Sequence, residues 1–228
     1  GHGRVEGLEE RVAELRRRIA AAGGRDVRLV AVTKGFGPDH LRAARAAGLD
    51  DIGENYAQEL LAKAQAAPAS TPGLRWHFLG TLQRRRVRDL AGLVALWQSV
   101  DRLALGHAIA RHAPGAAVLV QVNVSDRPGR GGCTLADAPG LVVDLDHLGL
   151  SVRGLMAVGD PDAPRPGFRR LAQLGRSLGL QELSMGMSAD LEVGVEEGAT
   201  MVRVGRALFG PRPAGADLRR YPHSEGGW

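Results

Sequence analysis

The chain has a single cysteine, Cys133, in 228 residues, so it closes no internal disulfide and carries no argument for an oxidising compartment. Aromatic residues are 4% of the total, which leaves little to stack on nucleic-acid bases. No apolar run approaches the length of a membrane span. The start, Gly1-His2-Gly3 and then a charged helical pattern, has no signal-peptide core, and residues 1–3 read as an appended scar. The expected setting is therefore the cytoplasm. A composition of 44% hydrophobic and 24% charged residues excludes a disordered tail or a fibrous repeat and can build one substantial core.

Lysine is the other scarcity. Of 30 basic residues only Lys34 and Lys63 are lysine, so arginine makes the pI of about 10.3 high while the net charge is only +5. That balance does not by itself describe a nucleic-acid surface. It does raise the question of why two lysines remain. Arginine serves an ion pair at least as well, but it cannot lose a proton and attack a carbonyl as a free amine.

Apolar residues at helical spacing over 4–22 (Val5, Leu8, Val12, Leu15, Ile19) predict a helix stopped by Gly23-Gly24. From there short β-branched runs alternate with helical segments. Strands are expected at 27–34, 50–53, 75–80, 96–100, 116–124, 151–158, 181–186 and 200–205. The helices between them are expected near 38–48, 55–67, 83–94, 101–113, 135–148, 166–178 and 188–198. Eight such units in this length predict a single (β/α)8 barrel over residues 4–215, with an extra N-terminal helix and a tail at 216–228. The loops at 126–132 and 160–167 are glycine- or proline-rich, and the first reads as mobile.

Barrel chemistry sits at the C-terminal ends of the strands. Lys34 ends the first strand on the pleat face of Val30 and Val32, which aims it into the barrel mouth, where lost hydration makes an amine a better nucleophile. Lys63 stands four residues after Glu59 on a helix and reads as half of a surface charge pair. Arg203 and Gly205 end the eighth strand, where phosphate is often held; a buried ion pair with Glu54 is the alternative for Arg203. Ser188 opens the preceding helix as a cap, a phosphate contact or both. Asn55 and Asp101 are likewise potential caps. His77 faces away from Trp76 and Phe78, and a lone strand histidine is ordinarily a satisfied core residue. Arg84, Arg85 and Arg86 form either a solvated helix face or a second anion site. Metal-ligand spacings, a Walker loop and a G-x-S-x-G elbow are all missing from the sequence, and GRGGCT (129–134) is only a weak dinucleotide signal. A mouth lysine opposite a phosphate cradle suits two ligand classes, pyridoxal phosphate or a sugar phosphate in an imine-forming aldolase.

Seven segments then resemble one family across nearly the whole chain. They are AVTK ending at Lys34, GENYAQE (53–59), WHFLGTLQ (76–83), VQVNVS (120–125), GLMAVG (154–159), LSMGMSAD (183–190) and TMVRVGRALFG (200–210). The chain resembles the pyridoxal-phosphate-binding homeostasis proteins, single-domain relatives of the alanine racemase barrel (fold-type III). The resemblance implies that Lys34 forms an internal aldimine with pyridoxal 5′-phosphate. It implies that Ser188, Arg203, Gly205 and Arg206 hold the phosphate and ring edge, and that Asn55, His77 and Met156 line the pocket. Arg206 replaces a small hydroxyl residue usual in the family, Arg84-Arg85 follow WHFLGTLQ where it usually has Asn-Lys, and Arg130 stands where its loop usually has lysine. The implied function is a carrier that buffers the cofactor and supplies apoenzymes, with no metal, membrane or specific nucleic-acid partner. Turnover is not expected, because a two-base racemase needs an acid or base on each face and the only tyrosines are Tyr56 and Tyr221. Weak racemase-type chemistry is the enzyme alternative, and the aldolase the more distant one.

Overall fold

The computed structural model describes residues 6–66, 73–125 and 127–211. Eight parallel strands close into a barrel in sequence order, β1 (Arg28–Val32), β2 (Asp51–Glu54), β3 (Arg75–Phe78), β4 (Val94–Val100), β5 (Ala117–Gln121), β6 (Ser151–Met156), β7 (Glu182–Ser184) and β8 (Met201–Val204). Closure is made at β1, where Ala31 is in register with Ile52 of β2 on one side and Val204 of β8 on the other. The (β/α)8 architecture expected from the alternation is the one observed.

Strand alternation divides the apolar residues into two layers. Val30, Val32, Leu96, Leu119, Met156 and Met201 point inward and fill the barrel with Leu79. Ala31, Ile52, Trp76, Phe78, Trp97, Val118 and Leu155 belong to the larger outer layer under the helices. Those helices are α1 (Leu8–Ala21), α2 (Pro38–Ala46), α3 (Ala57–Ala66), α4 (Val87–Leu90), α5 (Leu103–His112), α6 (Ala138–His147), α7 (Pro164–Ser177), α8 (Leu191–Glu196) and α9 (Arg206–Phe209). α1 is the expected extra helix; its Leu8, Val12, Leu15 and Ile19 are buried against α8 and α9. Val5, residues 1–3 and residues 216–228 lie outside the described residues.

Three expectations are corrected. The helix at 83–94 is a 3₁₀ turn, Arg84–Arg86, followed by the single turn of α4. The chain then turns through Gly92, with the Leu93 amide on the Leu90 carbonyl (2.9 Å), and β4 begins at Val94. The helix expected from 188 begins only at Leu191, because the Asp190 carboxylate takes the Met187 amide (2.7 Å) and closes a turn first. Ser188 therefore does not cap α8. Asp101 does not cap α5 either: its carboxylate receives the Gly132 amide (3.2 Å) and Arg102 (3.0 Å). That contact helps fold the 127–133 stretch back onto β5, where Cys133 bridges to Val122.

Candidate functional site

Lys34 lies two residues beyond β1, on the inward phase of Val30 and Val32, and is 5% exposed. Its ammonium is 5.6 Å from the centre of the Tyr56 ring, within the range of a cation–π contact. The chain on either side of it is held by buried charge. Lys63, 4% exposed, donates to the Thr33 carbonyl (2.5 Å), to Glu54 Oε1 (2.5 Å) and to Glu59 Oε1 (2.9 Å). The Thr33 hydroxyl donates to the same Glu54 oxygen, and the Gly35 amide donates to Glu59 Oε1 (2.6 Å). One ammonium and two carboxylates thus fix the carbonyl before Lys34 and the amide after it. The surface reading of Lys63 is overturned: the i,i+4 pair exists, but it faces the barrel wall. Burial pushes the Glu54 carboxyl up, Lys63 opposes that, and the neighbouring Glu59 adds to it.

Arg203 is fully buried on β8, the strand next to β1, in register with Val30. It donates to Ser184 Oγ (2.6 Å) at the end of β7 and to the Ala157 carbonyl (3.0 Å) beyond β6. Burial draws its guanidinium down to about 10, partly countered by Asp190, so it remains a cation at neutral pH. Glu54 pairs with Lys63, so the suggested Arg203–Glu54 ion pair is not formed. Ser188 Oγ accepts the Ala207 amide (3.2 Å) from the first turn of α9, and Arg18 of α1 holds the Ser188 carbonyl (3.1 Å). Gly205 is buried at the start of that turn, and Arg206 points to solvent.

Met156 ends β6 inside the barrel. Asn55 follows β2, is 1% exposed, and neither polar atom of its amide meets a hydrogen-bond partner in the protein. Gly80 makes room for it: a Cβ there would lie 2.2 Å from the Asn55 carbonyl oxygen. His77 is 1% exposed and makes two hydrogen bonds inside the barrel, to Asp51 (2.9 Å) and to Gln98 (2.8 Å). Arg84 and Arg85 are exposed.

Lys34, Asn55, Met156 and Arg203 thus stand at the C-terminal ends of β1, β2, β6 and β8, with Ser188 and Gly205 in the loops beyond β7 and β8. Sequence reasoning missed Thr33 and Gln98, and it named Glu54 and Glu59 without their buried contacts with Lys63. Gln98 had a signal, because it shares the inward phase of Leu96 in an apolar strand, where a polar side chain must find partners.

A closed (β/α)8 barrel with a buried lysine after its first strand and a buried arginine on its eighth defines the class, and the comparisons agree. A family model for the alanine racemase N-terminal domain matches residues 5–213. The pyridoxal phosphate homeostasis protein of Pseudomonas aeruginosa is 43% identical, covering 92% of this chain and 97% of its own. The chain belongs to the alanine racemase N-terminal domain family and, within it, to the pyridoxal phosphate homeostasis proteins. PipY of Synechococcus elongatus, solved with PLP bound, is 33% identical with a TM-score of 0.78 over 89% of this chain and 100% of its own. Alanine racemase of Clostridium difficile, 16% identical over 90% of this chain and 58% of its own (TM-score 0.70), shares the fold.

Proposed function

We propose that this protein binds pyridoxal 5′-phosphate through Lys34 and serves its homeostasis as a carrier that supplies apoenzymes, without strong turnover of its own. The observation that carries the reading is the buried mouth lysine in a chain so similar to pyridoxal phosphate homeostasis proteins. The bound cofactor would supply an aldehyde for a primary amine and a dianionic phosphate. The residues present fit such a group. The buried Asn55 amide has both its donors and its acceptor left for a ligand. Arg203 offers a charge that persists at neutral pH, and Met156 an apolar wall.

In this reading Lys34 is the covalent anchor, with its flanking peptides immobilised by Lys63 and Glu59. Ser188, Gly205 and Arg206 face the phosphate, and Arg203 meets the ring edge as a cation that gives up no proton. Arg206 is exposed, so its contribution is a charge at the rim rather than the short hydroxyl contact usual in the family. The non-turnover part rests on the acid–base groups. Tyr56, the tyrosine among the described residues, lies beside Lys34 rather than across from it.

The test is an absorbance spectrum of the purified protein with pyridoxal phosphate, then borohydride reduction and peptide mapping. A visible band fixed by reduction to Lys34 is expected, together with no racemisation of alanine. A protein that stays colourless and unmodified in excess pyridoxal phosphate overturns the binding reading. Sustained amino-acid turnover overturns the carrier reading.

A further inference from the structure

We propose that Asp51, His77, Gln98 and Ser184 form a directed hydrogen-bond chain through the barrel interior that fixes the guanidinium of Arg203, making His77, Gln98 and Ser184 positioning residues for the mouth.

The chain crosses the barrel from the start of β2 to the end of β7. Arg203 donates to Ser184 Oγ (2.6 Å), and Ser184 donates to Gln98 Oε1 (2.6 Å). Gln98 Nε2 stands 2.8 Å from His77 Nδ1, and His77 Nε2 stands 2.9 Å from Asp51 Oδ1. Ser184 sets the polarity. Its oxygen already accepts from Arg203, so its one hydrogen goes on to Gln98, which turns the amide oxygen toward Ser184 and the amide nitrogen toward His77. A donor facing Nδ1 requires a lone pair there, so His77 is the neutral tautomer with its hydrogen on Nε2, given to Asp51. Asp51 is secured in turn by Arg75, whose Nε and Nη2 each lie 3.0 Å from a carboxylate oxygen, beside a floor cleft of ≈ 350 Å³.

Every link then points the same way. The acceptor atoms of Ser184, Gln98 and His77 face the Arg203 cation, and their hydrogens face the Asp51 anion. Both buried charges are stabilised by the dipoles between them, and successive links polarise one another. The five side chains are all 7% exposed or less, so water does not substitute for a missing link. This line of polar side chains ends on Arg203, which is fully buried at the C-terminal end of β8.

The effect on ligand rests on the reading that Arg203 meets pyridoxal phosphate, whereas the chain itself is testable in the ligand-free protein. With ¹⁵N-labelled histidine, and His77→Asn to assign its signals, NMR is expected to find His77 protonated on Nε2 alone. Gln98→Glu, which presents an acceptor to Nδ1, is expected to convert it to the doubly protonated ring. In the loaded protein, Ser184→Ala is expected to weaken pyridoxal phosphate binding about tenfold or more, with the thermal transition retained. Protonation on Nδ1 in the parent protein overturns the proposal, and so does a folded Ser184→Ala that binds as tightly as the parent. Should Ser184→Ala fail to fold, the Gln98→Glu histidine spectrum decides alone. A parent protein with the expected His77 pattern but no uptake of pyridoxal phosphate upholds the chain and removes the cofactor reading.

Discussion

Replacing Lys63 with methionine tests whether buried charge holds the segment around Lys34. Methionine keeps the apolar length of the stem and removes the ammonium, which makes hydrogen bonds of 2.5, 2.5 and 2.9 Å to Thr33, Glu54 and Glu59. Two carboxyls then remain buried side by side with no cation. Breaking one partner of such a cluster costs about 3–5 kcal/mol, since the remaining charges stay desolvated. For a chain of this size that lowers the melting temperature by roughly 6–20 °C. Circular dichroism melting at pH 7.5 reads this directly. The same protein is expected to load pyridoxal phosphate more weakly, because the Thr33 carbonyl is no longer tethered. Adding Glu54→Gln and Glu59→Gln to Lys63→Met is expected to recover much of the loss, a non-additivity diagnostic of direct coupling. A single mutant that melts within about 1 kcal/mol of the parent would refute the reasoning, because the cluster would then be no more than a solvated surface pair.

Three further outcomes follow from the same geometry. The Glu54 carboxyl is pushed by burial from 4.5 to about 7, so the folded chain holds an extra proton between those values; stability is fully favoured below 4.5 and is lost as pH rises through about 7, and Glu54→Gln is expected to flatten that slope in urea titrations. Asn55→Ala removes an amide with no partner in the protein, so ligand-free stability should change by less than about 1 kcal/mol while pyridoxal phosphate affinity falls; a large loss of ligand-free stability would show that the amide is structural. Burial and the nearby Asp101 push the Cys133 thiol from 9.0 to about 11, so iodoacetamide at pH 8 should react roughly a hundredfold more slowly than in urea; equal rates would mean that the 127–133 stretch does not fold back on β5.

The barrel was legible because its two periodicities are clean. Short β-branched runs and helical segments alternate with glycine between them, and strand alternation alone placed Lys34 with Val30 and Val32. What alternation does not carry is contact across the barrel. Ser184 and Gln98 are 86 residues apart, and only closure of the sheet brings them to 2.6 Å. The same limit applies to the Arg203–Glu54 pair, an alternative that spacing alone left open and that is not formed because Lys63 on α3 holds Glu54. Helical spacing correctly paired Lys63 with Glu59 but could not say which face of α3 meets the barrel. Caps failed for a related reason: Asp101 and Ser188 precede helices, but Asp101 is engaged by the loop at Gly132 and Ser188 by the first turn of α9 at Ala207.

Those contacts also answer why two lysines persist among 28 arginines, the remainder of 30 basic residues. The explanation by nucleophilicity suits Lys34, whose amine stands at the mouth. Lys63 needs a different one. Its single nitrogen is reached by oxygens from Thr33, Glu54 and Glu59 at 2.5–2.9 Å, an arrangement for three donors radiating from one point. A guanidinium presents its donors in a plane from three nitrogens and is bulkier, so it could satisfy two of those oxygens only by displacing the third. In the proposed reading Lys34 and Lys63 serve opposite properties of the same group, one an amine that reacts and the other a compact buried charge. Because Lys63 holds the Thr33 carbonyl and its partner Glu59 holds the Gly35 amide, the scarcity of lysine in this chain points to one site rather than two.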